Sequence, residues 1–222
     1  MSIYFCFCFI SVFQYEGAHD ADGRGASIWD TFLKENYPVL FDFTNTVAIN
    51  GLNAEDKKIM KEMGFNTFRL SISWPRVLPY GRRTYGPNGE EQGVNKKGID
   101  FYNNVINLLL ENGNFLIQPI FLFALFEALK LTFIDLKSCI CTKDFIDYTD
   151  PCFREFGDRV KLWLTFNETW TYSLLGYMVG SFAPSRGATL ARCLAPRAGD
   201  PTTEPYIVTQ LALVSCSGSE IV

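Results

Sequence analysis

Short apolar runs alternate with amphipathic segments along most of this chain, and this alternation limits the folds that it can adopt. Runs rich in β-branched and aromatic residues predict strands at 5–15, 67–74, 116–123 and 161–167. A capping asparagine, acidic residues in the first turn and Gly64 just past the end predict a helix at 53–63, and apolar residues along one face predict another at 95–112. Residues 144–156 are also predicted to be helical. Because uninterrupted apolar strands joined by helical crossovers are typical of parallel sheets, the order predicts an α/β fold.

The segments between these elements are predicted to be irregular. Prolines and glycines mark a long loop after residue 74, and residues 124–143 show no clear period. A Gly-, Pro- and Arg-rich loop is expected from Thr169 to about Thr203. Pro151 lies inside the third predicted helix, where an interior proline costs roughly 3 kcal/mol.

About four βα units are present, which is half of a (β/α)8 barrel. We therefore predict an incomplete (β/α)8 TIM barrel that occupies residues 1–222 as a single partial domain. A barrel closes only when all eight strands are present.

Composition and charge exclude several classes of function. The net charge of -4, without a basic stripe, excludes nucleic acid as an expected partner. One histidine and seven cysteines without a CxxC pair give no plausible zinc site, and no cofactor is expected. The apolar run at 1–13 lacks a basic start and a cleavage site and is too short to span a membrane, so we favour a buried strand over a targeting segment.

Four polar residues fall on or near the predicted strands, whose carboxyl ends carry the chemistry in barrel enzymes. They are Gln14, Arg69, Asn167 and Glu168. A glutamate that follows the apolar run LWLTF has its pKa raised by desolvation, as a general acid requires. The alternatives are ordinary ones: most glutamates are solvated, Arg69 could form a salt bridge, and Gln14 could bond to backbone.

Longer matches connect these residues to a known family. The segments QYEGAHDADGRGASIWDTF, DKKIMKEMGFNTFRLSISWPRVLP, GVNKKGIDFYNNVINLLLENG, FREFGDRVKLWLTFNE and TEPYIV occur here in the family's order. The chain resembles glycoside hydrolase family 1, and among its members the plant β-glucosidases. The resemblance implies a retaining glycosidase on a (β/α)8 barrel that acts on small-molecule β-glucosides, without a cofactor. Members are often secreted, vacuolar or in the endoplasmic reticulum, and we predict no location for this chain.

The resemblance also implies a role for each of the four residues. Glu168 matches the acid/base, and Asn167 matches the residue that hydrogen-bonds the sugar 2-OH. Gln14 matches the glutamine that holds hydroxyls of the terminal sugar, and Arg69 the arginine that supports the carboxylate of the nucleophile.

Several positions depart from the family pattern. The Thr-Glu-Asn-Gly segment that carries the nucleophile has no counterpart, and Glu220 stands in a different context. Residues 121–129 lack the family's His-Trp pair. Thr169 replaces a proline and creates the glycosylation pattern Asn167-Glu168-Thr169. Cys193 matches one partner of a family cysteine pair, and no disulfide is expected there.

Three hypotheses follow from this pattern. The chain is a β-glucosidase by descent that is inactive on its own, or a sugar-binding module without chemistry, or a truncated product without a stable fold. Aglycone specificity, oligomeric state and protein partners are left open by the sequence.

Overall fold

The computed structural model describes residues 7–10, 21–37, 54–64, 67–111, 116–117, 120–122, 140–160, 162–163, 169–187 and 197–198. A short turn at Ala21–Gly23 precedes the first helix, and a π-helical stretch at Ser173–Val179 follows the last. The remaining elements, in chain order, are β1 (Phe7–Ile10), α1 (Ile28–Asn36), α2 (Ala54–Glu62), β2 (Thr67–Ser73), α3 (Trp74–Val77), β3 (Thr84–Tyr85), β4 (Glu91–Gln92), α4 (Lys96–Leu110), β5 (Leu116–Ile117), β6 (Ile120–Leu122), α5 (Ile140–Phe156), α6 (Thr169–Tyr172), β7 (Arg186–Gly187) and β8 (Arg197–Ala198).

A parallel sheet with β2 at its centre organises these elements. β1 pairs with one edge of β2, with Phe7 opposite Thr67. β5 pairs with the other edge, and β6 continues along β2 with Ser71 opposite Ile120. Helix α2 lies between β1 and β2 in the chain, and α4 lies between β2 and β5, so the predicted βαβ order is confirmed for the strands predicted at 5–15, 67–74 and 116–123.

The two faces of β2 have different chemistry because successive side chains of a strand point to opposite faces. Phe68, Leu70 and Ile72 are buried in the main apolar core with α4 and α5. Thr67, Arg69, Ser71 and Ser73 occupy the alternate positions and therefore lie on the other face. The sheet thus has an apolar face covered by helices and a polar face turned away from them.

Helix α4 confirms the prediction from its apolar spacing. Its buried apolar side chains form the stripe that packs on β2: Ile99, Tyr102, Val105, Ile106 and Leu109. Helix α2 confirms the helix predicted at 53–63, within one residue at each end.

Helix α5 runs through Pro151 despite the cost of an interior proline. Tyr148, Cys152 and Phe156, spaced four residues apart, are fully buried on the face toward the core. Burial of large side chains is worth about 1.5–3 kcal/mol each, so together these contacts outweigh the proline cost. The helix also begins at Ile140, four residues before the predicted start.

Other predicted boundaries were wrong. Trp74 begins α3 instead of ending β2, and the loop after it contains the β3–β4 hairpin. Residues 169–179 are helical where a loop was predicted, because Tyr177 packs on α1. Residues 162–163 lie in neither helix nor strand, and the rest of the predicted strand at 161–167 lies outside the described residues.

Gly98 in α4 is expected to tolerate no larger residue. A Cβ atom there would lie 2.1 Å from the carbonyl oxygen of Arg76, which is backbone and cannot rotate away. Gly98→Ala is therefore expected to destabilise the fold by about 2 kcal/mol, although alanine is the better helix former. Chemical denaturation measures the effect. Asn104→Ala, at an exposed position of α4, is the matched control and is expected to be neutral or slightly stabilising; equal effects of the two changes would contradict the prediction.

Candidate active site

Of the four predicted site residues, Arg69 lies within the described part of the chain. It is the third residue of β2, opposite Phe9 of β1, and its side chain is partly buried on the polar face. Gln14, Asn167 and Glu168 lie outside the described residues. Their roles and that of Arg69 stay predictions.

The carboxyl ends of β1, β2 and β6 meet at one edge of the sheet because the strands are parallel. The connections that follow β1 and β2 are held together there by backbone and side-chain contacts. The Gly25 N–H donates to the carbonyl of Pro75 at 2.8 Å. The Asn95 side-chain amide donates to the carbonyls of Asp22 and Arg76, each at 2.9 Å. These bonds fix the start of α4 to the connections that follow β1 and β2.

Gly25 permits the backbone of Pro79 to pass very close to the segment after β1. A Cβ atom at this position would lie 2.3 Å from the Pro79 carbonyl oxygen, well inside van der Waals contact. The close packing against Pro79 therefore explains why a glycine occupies position 25 of the DGRGASIWDTF segment.

Helix α1 follows this contact and was not predicted from the sequence. Ser27 and Asp30 form a capping box, in which the Asp30 N–H donates to Ser27 Oγ and the Ser27 N–H donates to Asp30 Oδ2. Arg24 Nη1 also donates to Asp30 Oδ2 at 3.0 Å, which places an ion pair at the helix start. A Ser-x-x-Asp pattern before an apolar run is the signal that could have revealed the helix.

Two buried tyrosines hold the carboxyl end of β2. The Ser73 N–H donates to the Tyr102 hydroxyl at 2.7 Å, and the Tyr148 hydroxyl donates to the Ile72 carbonyl at 2.5 Å. Trp74 stacks on Tyr148 with ring centroids 4.7 Å apart. Helices α4 and α5 therefore position the last residues of the strand that carries Arg69.

The segment directly after Glu168 is anchored on α1. Helix α6 begins at Thr169, the next residue in the chain, and leads into the π-helical stretch. Tyr177 of that stretch is buried in a second apolar cluster with Ile28 and Phe32 of α1. The Tyr172 and Tyr177 hydroxyls lie 3.4 Å apart in the same region. Packing on α1 thus holds Tyr172 and Tyr177, four and nine residues beyond the predicted acid/base.

No group of three or more His, Cys, Asp or Glu side chains suited to a metal ion occurs among the described residues. Among the described helices, none combines the length and the apolar character needed to cross a bilayer.

Comparison with known proteins decides the family. The sequence profile described as glycosyl hydrolase family 1 matches residues 4–217, almost the whole chain. The chain belongs to glycosyl hydrolase family 1. The resemblance seen in the sequence is therefore confirmed.

Relatives within glycosyl hydrolase family 1 place these residues in a larger protein. The furcatin hydrolase of Viburnum furcatum is 43% identical over 206 residues, which cover 91% of this chain and 36% of that protein. The cyanogenic β-glucosidase of Trifolium repens is 42% identical over 208 residues, which cover 92% and 47%. The crystal structure of a rice β-glucosidase matches with a TM-score of 0.77 and 38% identity over 96% of this chain and 44% of that one.

This family member therefore spans less than half the length of the relatives that it matches. The fold is an incomplete (β/α)8 barrel, as the order of elements predicted. The polar face of β2 corresponds to the inside of the barrel, and the edge at the carboxyl ends of the strands is the edge where barrel enzymes carry their sites.

Proposed function

We propose that this chain supplies the acid/base half of a β-glucosidase that cleaves terminal β-D-glucosyl groups with retention of configuration. The observation that carries the proposal is the run Thr165-Phe166-Asn167-Glu168 in a member of glycosyl hydrolase family 1. Support comes from Arg69, which lies on the face of β2 that a barrel turns inward. The names of the relatives agree with this class of reaction.

Each residue has a proposed role in a two-step mechanism. Glu168 protonates the glycosidic oxygen as the aglycone leaves, and its carboxylate then takes a proton from the water that attacks the glycosyl-enzyme. Asn167 hydrogen-bonds the 2-OH of the sugar, where hydrogen bonds strengthen in the transition state. Gln14 binds hydroxyls of the terminal glucose, and Arg69 orients the carboxylate of the nucleophile.

We further propose that residues 1–222 alone do not turn over β-glucosides. A retaining glycosidase needs two carboxyl groups about 5–5.5 Å apart, one of them the nucleophile. Residues 1–222 contain no Thr-Glu-Asn-Gly segment to supply it. Without the nucleophile the glycosyl-enzyme cannot form, whatever the state of Glu168.

A chimera tests both proposals. The 222-residue chain is compared with a fusion of the same residues to the part of the Trifolium repens cyanogenic β-glucosidase that lies beyond the match. Release of an aryl aglycone from an aryl β-glucoside is measured for each. We expect no release above the uncatalysed rate from the chain and clear release from the fusion.

Two outcomes would contradict these proposals, one for each. Turnover by the purified 222-residue chain would show that the second carboxylate is not needed or is present in the chain. A fusion that unfolds cooperatively but releases no aglycone would show that these residues do not supply a working acid/base half.

A further inference from the structure

The connection between α3 and α4 contains the β3–β4 hairpin, and its residues 82–93 are here called the strap. None of its residues is buried, and its two apolar side chains, Tyr85 and Pro87, are exposed. Each of its strands has two residues, and an isolated two-stranded ribbon is marginally stable at best. Apolar burial therefore contributes little to holding the strap in place.

The two ends of the strap are fixed to α3. At one end the Gly81 carbonyl accepts a hydrogen bond from Trp74 Nε1 at 3.0 Å, and at the other the Asn95 N–H donates to the Val77 carbonyl at 2.8 Å. Gly81 and Gly93 both have positive φ, 85° and 96°, which side chains other than glycine rarely allow. Because glycine moves readily between backbone conformations, these two positions can serve as hinges for the residues between them.

Ion pairs with helix α5 hold the middle of the strap. Arg83 is the central cation, with its side chain 9% exposed. It bonds Asp147 at 3.3 Å and also contacts Asp150. In the opposite direction, Arg154 of α5 bonds Glu91 of the strap at 2.8 Å. Each side of the contact therefore supplies both a cation and an anion.

The charged partners on α5 form one stripe along the helix, because spacings of three and four residues place side chains on the same face. They are Asp144, Asp147, Asp150 and Arg154. Arg82 of the strap approaches Asp144 at 3.5 Å. Cations of the strap thus meet the acidic part of the stripe, and its anion meets the basic end, so the two charge patterns are complementary.

We propose that the strap is fastened to α5 by electrostatic attraction and that a rise in ionic strength releases it while the core stays folded. Salt weakens ion pairs most where solvent reaches them. Arg82, Asp150 and Arg154 have side chains between 46% and 50% exposed, so three of the pairs have a half-exposed member. The strap has no buried residue to offset this loss, and it belongs to the connection that follows the carboxyl end of β2.

Limited digestion of the 222-residue chain with trypsin tests the proposal, because trypsin has to bind the arginine side chain that precedes the cleaved bond. In the fastened strap α5 holds Arg83, so cleavage after this residue requires release. We expect the rate of this cleavage, followed by mass spectrometry, to rise by about tenfold between about 0.02 M and about 1 M salt. Rates are divided by that of a short arginine peptide at the same salt concentration, which removes the effect of salt on trypsin itself.

Asp147→Asn combined with Asp150→Asn keeps the shape of both side chains and removes their charge. This variant is expected to be cleaved rapidly after Arg83 at low salt and to lose most of the response to salt. Glu155→Gln, at an exposed position of α5, is the matched control and is expected to behave as the unchanged chain. Cleavage after Arg69, in the central strand, reports on global unfolding.

Three outcomes would overturn the proposal. The first is an equal rate of cleavage after Arg83 at low and high salt in the unchanged chain. The second is slow cleavage of the double variant at low salt, which would show that charge does not hold the strap. The third is a parallel rise in cleavage after Arg69, because the opening would then be global.

Discussion

Glu168→Ala in the fusion is expected to lower kcat for a β-glucoside with a poor leaving group by about 10²–10⁴-fold, the range typical of a lost general acid–base group. The leaving alkoxide then departs without a proton. For an activated aryl β-glucoside the first step needs little acid assistance, so the loss falls on hydrolysis of the glycosyl-enzyme, which lacks its general base. Steady-state kinetics on the two substrates measures the difference.

Azide sharpens this test because the azide ion attacks the glycosyl-enzyme without needing a general base. With the activated substrate, azide is expected to restore turnover of Glu168→Ala and to yield β-glucosyl azide. Glu111→Ala, which removes an exposed carboxylate at the end of α4, is the matched control and is expected to keep normal kinetics without azide. Failure of azide to raise the rate, or an α-configured product, would argue against Glu168 as the acid/base.

Trp74→Ala is expected to destabilise the chain by about 4 kcal/mol, within the range for truncation of a buried tryptophan. Trp74 is 1% exposed and stacks on Tyr148 with an angle of 9° between the rings. Its Nε1 also donates to the Gly81 carbonyl at 3.0 Å, so the indole links the end of β2 to the loop that leads to the β3–β4 hairpin. Urea denaturation, read as the change in the transition midpoint, measures the loss.

Trp74→Phe separates packing from the hydrogen bond. Phenylalanine retains an aromatic ring against Tyr148 but has no N–H for the Gly81 carbonyl, so we expect a smaller loss than for alanine. Equal losses in the two variants would show that the stacked ring contributes little, and a change below about 1 kcal/mol in Trp74→Ala would contradict its place in the core.

The sequence was sufficient for elements whose burial follows a regular period. The spacing of Ile99, Tyr102, Val105, Ile106 and Leu109 predicted α4 because one helical stripe faces the sheet. The run at 67–74 predicted β2 because β-branched and aromatic residues favour strands, and β2 ends one residue earlier, at Ser73. Both elements have a local pattern that agrees with their place in the fold.

The sequence was not sufficient where contacts between distant segments decide the structure. Pro151 argued against a continuous helix, but the burial of Tyr148, Cys152 and Phe156 keeps α5 intact. Residues 169–179 begin the region to Thr203 that was predicted as a Gly-, Pro- and Arg-rich loop, but Tyr177 packs on α1 and stabilises a helical course. In both segments, tertiary contacts contribute more to the stability of the helix than local propensity does.

For the candidate site, the sequence by itself determined the family and pointed to Glu168, Asn167, Gln14 and Arg69, because motifs record which side chains the chemistry needs. Only the tertiary structure placed Arg69 on the polar face of β2 and showed Tyr102 and Tyr148 bonded to the end of that strand. The ion pairs of Arg83 with Asp147 and Asp150 also came from the structure alone. They join residues more than sixty positions apart, and no local pattern in a single sequence specifies which distant charges will meet.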